Sequence, residues 1–76
     1  MKLVIQANSV SPSILTVVNG DDIIYTAQVY GGSLISAIDR IFKERYIESV
    51  CFSEHNDYTK KFEDHISKTY KGVMVE

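Results

Sequence analysis

The chain has 76 residues, 45% hydrophobic and 24% charged, which is the composition of an ordinary folded protein and excludes a disordered one. Eight basic against ten acidic side chains leave a formal charge of -2, too small and too evenly spread for a phosphate-binding stripe or a DNA-mimicking acidic surface. At this length one domain, 1–76, is expected. Folding hides only about 60% of the surface its unfolded chain exposes, so one more contact surface would add noticeably to stability.

The single cysteine, Cys51, excludes an internal disulfide and fits a reducing compartment, so the expected setting is the cytoplasm. No apolar run approaches the roughly 20 residues that span a bilayer. The opening MKLVIQANSV carries an apolar run too short for a signal-peptide core and reads as a strand. In it Leu3, Ile5 and Ala7 share one face and Lys2, Val4, Gln6 and Asn8 the other. Pro12 marks a turn.

SILTVVNGDDIIYTAQVY, Ser13 to Tyr30, is two runs of strand-forming residues joined by a hairpin signal at Asn19, Gly20, Asp21 and Asp22. Plain alternation, with a loop of two residues or of four, puts Ile14, Thr16, Val18, Ile23, Tyr25, Ala27 and Val29 on one side. Leu15, Val17, Ile24, Thr26, Gln28 and Tyr30 fall on the other. Neither side reads as wet.

Gly31 and Gly32 break the strand, and Ser33 is placed to cap a helix running to about Tyr46. Leu34, Ile35, Ile38, Ile41, Phe42 and then Arg45 or Tyr46 recur at helical spacing, with Asp39, Arg40, Lys43 and Glu44 outside. IESVCFSE follows as a strand in which Val50 and Phe52 face opposite to Ser49, Cys51 and Ser53. Asn56 or Asp57 caps a second helix with a buried stripe of Tyr58, Phe62, Ile66, Thr69 and Tyr70. Lys68 and Lys71 lie near its negative end, and Gly72 stops it. The closing VMVE makes a short strand.

The resulting order is βββαβαβ, an α+β fold. Three strands on short links form an antiparallel meander, and two right-handed crossovers add parallel strands beside the first. A five-stranded mixed sheet of order 3-2-1-4-5 follows, with both helices on one face and the other face open.

This order and its lengths resemble the ribonuclease-H-like fold, and Ser13 to Glu76 also looks like the related motif of certain ribosomal proteins. The resemblance implies a two-metal centre, with carboxylates in the first strand, the first helix and near the end of the fourth strand. The first strand of this chain offers Gln6 and Asn8 instead, while Glu54 stands after the fourth strand and Asp39 or Glu44 in the first helix. Metal-dependent nuclease activity, or nucleic-acid binding inherited from the fold, is therefore the alternative rather than the leading expectation.

Cys51, Glu54, His55 and His65 match no ligand spacing for a metal or a thiol nucleophile, and read as a small packed or partner-facing thiol and surface imidazoles. Gly31 to Ser33 lacks the Walker lysine and a dinucleotide fingerprint, so no cofactor is expected. Tyr46, Tyr58 and Tyr70 are read as core-facing, leaving Tyr30 as the exposed aromatic. Lysines on the second helix are interrupted by Glu63 and Asp64, as on a solvated face.

The expected binding surface is the helix-free side of the sheet: Val4, Leu15, Val17, Ile24, Thr26, Cys51 and Met74 interleaved with Gln6 and Gln28, and Tyr30 beside them. An apolar area of this kind exceeds what a lone particle ordinarily leaves wet. A second copy stacked across a two-fold axis, or a different protein, is expected to cover it, and the outer strands offer a second route through edge pairing. The reading is a non-catalytic interaction protein: a homodimeric regulator, inhibitor or assembly factor of a kind that viral genomes often encode. Val17→Lys or Ile24→Lys is expected to separate the copies.

Overall fold

A computed structural model describes residues 1–30 and 32–76; Gly31, read above as part of a strand break, lies outside them apart from the bounds of its turn. The elements are β1 (Lys2–Gln6), β2 (Ser13–Asn19), β3 (Asp22–Val29), a 3-10 turn (Gly31–Ser33), α1 (Leu34–Glu44), β4 (Ser49–Phe52), α2 (Asp57–Thr69) and β5 (Met74–Val75). The sheet order is β3-β2-β1-β4-β5. The meander β1–β2–β3 is antiparallel, and β4 and β5 add in parallel, as the sequence order predicts.

One core holds these parts together. Leu3, Ile5, Leu15, Val17, Val50 and Phe52 rise from the sheet to meet Leu34, Ile38 and Ile41 of α1 and Phe62 and Ile66 of α2. All of them belong to one cluster, so both helices roof the same face. The alternation expected in β1 and β4 holds: Leu3, Ile5, Val50 and Phe52 point inward. The expectation for β2 is reversed. Leu15 and Val17 are both 0% exposed, because β1 pairs Leu3 with Val17 and Ile5 with Leu15, and opposed residues share a face.

A bulge explains why β2 and β3 fail plain alternation. Thr16 opposes Thr26 and Val17 opposes Tyr25, but Val18 opposes Ile23, so Ile24 is an extra residue facing the Val17–Val18 step. Asn19 pairs with Asp22, leaving Gly20 and Asp21 as a two-residue loop. Gly20 takes φ +63°, which the first position of a II′ hairpin turn needs and a side chain would strain.

The long β1–β2 connection is fixed by side chains. The Asn8 side-chain carbonyl accepts from the amides of Val10 and Ser11, and buried Ser13 Oγ accepts from the Asn8 amide at 3.0 Å.

Asn56 is the cap of α2. Its side chain accepts from the Thr59 amide at 3.0 Å, and its own amide donates to Thr59 Oγ1 at 2.9 Å, a reciprocal box with threonine in place of the usual Glu or Gln. Thr59 is buried accordingly, whereas Thr69, read as part of the stripe, is exposed. Ser33 occupies the cap position of α1 but makes no side-chain cap bond. That helix stops at Glu44. Arg45 is extended, so Tyr46 swings out to 77% exposure and Ile47 takes the buried place expected for it.

Candidate interaction surface

The carboxyl ends of the parallel pair β1 and β4 open onto a polar cleft of about 450 Å³, lined by Gln6, Asn8, Ser9, Glu54, Asn56 and Asp57 among others. This is the end of a parallel pair where ligands commonly bind. Two of its side-chain carbonyls are already employed, that of Asn8 in its turn and that of Asn56 in its cap. Asp39 and Glu44 do not line it: Asp39 is bound between the helices, and Glu44 pairs with Arg40 at 3.3 Å. Among the described residues no group of three His, Cys, Asp or Glu side chains is placed to hold a metal ion.

Cys51, Glu54, His55 and His65 are not brought together. Cys51 is half-buried in β4, and His55 Nδ1 lies 3.1 Å from Glu63 on α2. His65 is not the ordinary surface imidazole expected. Its Nε2 lies 2.8 Å from Asp39 of α1, to which the Tyr70 hydroxyl also donates, while the Tyr70 ring stacks on Phe42 at 3.9 Å. The clasp ties α2 to α1. Burial opposes the Asp39 charge, but the bonds from Tyr70 and His65 outweigh it and hold the carboxyl below its usual range.

Burial and the Asp39 carboxylate push the Tyr70 hydroxyl up to about 12 from an ordinary 10.0. A value raised by folding stabilises fully below the unfolded value, and that contribution is lost as pH climbs through the folded one. The thermal midpoint of the native chain is therefore expected to exceed that of Tyr70→Phe by a constant margin from neutral pH up to pH 10, and the margin to shrink between pH 10 and 12. Melts of both proteins across that range check it; a margin independent of pH would contradict the clasp.

The open side of the sheet is defined by register. Thr26, Thr16, Val4 and Cys51 form a central row; Gln28, Ile14 and Gln6 form the row on one side, and Ile23, Val18, Lys2, Ser49 and Met74 the row on the other. Of the residues expected there, Val4, Gln6, Thr26, Gln28, Cys51 and Met74 are in place and Tyr30 is exposed just beyond β3; Ile24 is the unpaired bulge residue, and Ile23, expected on the helix side, takes the open-face place opposite Val18. Leu15 and Val17 are not available; Ile14, Thr16 and Val18 stand in their stead. The corrected face is about as apolar as expected, with small side chains along its middle, Ile14, Val18, Ile23 and Met74 flanking them, and Gln6, Gln28 and Lys2 around it. Lys2 Nζ approaches Glu76 at 3.9 Å.

The outer margin is more exposed than the face. β3 is an eight-residue edge strand with Ile23 69%, Ile24 43% and Tyr25 40% exposed. On its helix side Tyr25, Ala27 and Val29 floor a groove of about 310 Å³ walled by Ala37, Ile41, Arg40 and Glu44 of α1. The Arg45 guanidinium lies 5.1 Å from the Tyr25 ring centre. Thus α1 leaves the last strand partly uncovered on both sides. A free edge of this length, without proline or a charge along its middle, is a template for another strand.

Among the described residues no helix is long and apolar enough to cross a membrane. Compared with known protein families, with curated proteins and with solved structures, the chain matches none.

Proposed function

We propose that the chain is a non-catalytic protein-interaction module, acting as a regulator, inhibitor or assembly factor through the outer half of its sheet. The observation that carries this reading is β3: an edge strand exposed on both faces, bearing Ile23, Ile24 and Tyr25, and bordered by an apolar groove. Unpaired backbone groups supply affinity to an added strand, and alternate side chains supply selectivity. The open face, with Val4, Ile14, Thr16, Val18 and Cys51, continues that surface inward. The polar cleft at the ends of β1 and β4 supports the rival reading of a metal-dependent nuclease by position alone, since its donor set has no first-strand carboxylate.

The test is recovery of the chain from its native host. The native chain is expected to return with a stoichiometric protein companion, or a second copy, that Ile24→Lys releases while helix content is unchanged. Divalent-metal-dependent cleavage of single- or double-stranded nucleic acid, abolished by Glu54→Ala, would overturn the reading.

A further inference from the structure

We propose that the occupant of the β3 edge is a second copy of this chain, joined by antiparallel pairing of the two β3 strands about a two-fold axis. The proposal rests on the reading of the sheet margin as a contact surface and names its partner. An edge strand laid antiparallel against its own copy is complementary by symmetry, because every contact made once is made twice. In β3 the only charge is Asp22, at the hairpin end and away from the middle of the strand.

Edge pairing makes one continuous sheet with both helical layers on the same side. The two grooves over β3 then merge into a shared trough, with Tyr25, Ala27 and Val29 of each copy on its floor and the two α1 helices as its walls. Related by the axis, those helices run in opposite directions.

Their rims carry Arg40 and Glu44, both exposed, both lining the groove and one helical turn apart. Opposed running sets Arg40 of one copy toward Glu44 of the other, and Glu44 toward Arg40. This stripe complements itself. A partner of a single charge sign would meet one attraction and one repulsion at the same place. The open face offers no such match: its apolar residues lie among Gln6, Gln28 and the Lys2–Glu76 pair.

The experiment is sedimentation velocity on the native chain, on Arg40→Glu, on Glu44→Arg and on an equimolar mixture of the two variants. A dimer is expected for the native chain, with each variant alone dissociating at least about tenfold more readily because like charges then face each other. The mixture is expected to regain native dimerisation, since each variant supplies what the other lacks. The pair within α1 is lost in both variants and in their mixture, so only contacts between copies separate these cases. Circular dichroism with unchanged helix content excludes unfolding as the cause. A mixture no tighter than its components, or a native chain monomeric throughout, overturns the proposal. A monomer that still carries a stoichiometric companion from its host would sink self-pairing and leave the interaction-module reading standing.

Discussion

Val17→Lys is expected to unfold the chain instead of separating two copies. Val17 is 0% exposed, paired with Leu3 on one side and Tyr25 on the other, beneath the helical layer. A lysine there loses the packing of the valine and strands an ammonium among apolar neighbours, at an effective cost of several kcal/mol. Native proteins hold only about 5–15 kcal/mol in reserve, and a chain this short has less surface to bury than most. Thermal melts should lose their cooperative transition, or shift it far down. Ile24→Lys is the contrasting substitution. Its side chain is already in water at the bulge, so the melt should move by no more than about 0.5 kcal/mol in stability, while self-association weakens. A folded Val17→Lys protein would mean that β2 is turned the other way.

That contrast marks where the sequence was legible. β1 and β4 alternate strongly apolar with small or polar residues, so Leu3 and Ile5, and Val50 and Phe52, declare their inward side. β2 reads Ile14-Leu15-Thr16-Val17-Val18, apolar on both faces, and period-two reasoning has no contrast to work with there. Only its register on β1 decides, and the connection from Ala7 to Pro12 does not encode that parity. The bulge at Ile24 then breaks the assumed alternation across the hairpin, with no local signal beyond the turn itself. As a result plain alternation gives Thr26 and Gln28 of β3 their true outward side, but misses Ile23 beside Val18 and turns β2 the wrong way.

Helix ends divide in the same way. Asn56 stands three residues before Thr59, a spacing that announces a cap. The end of α1 carries no glycine or proline, and helical spacing continues through Arg45 and Tyr46, so nothing in the pattern marks the stop after Glu44. Asp39 and His65 are 26 residues apart and meet only because α1 and α2 pack side by side on one face. The clasp follows from tertiary packing. The edge character of β3 does follow from topology, since the last strand of a meander has a neighbour on one side only unless another chain supplies one.

The measurement closest to the central claim is amide hydrogen exchange along β3 as protein concentration is raised. In an isolated copy the amides of Asp22–Val29 that point away from β2 have no partner, and they should exchange rapidly. If the margin of the sheet pairs with another copy, those amides are expected to slow by about tenfold or more as the dimer forms, while their β2-facing neighbours change little. Outward amides that exchange at one fast rate from the most dilute to the most concentrated sample would contradict it.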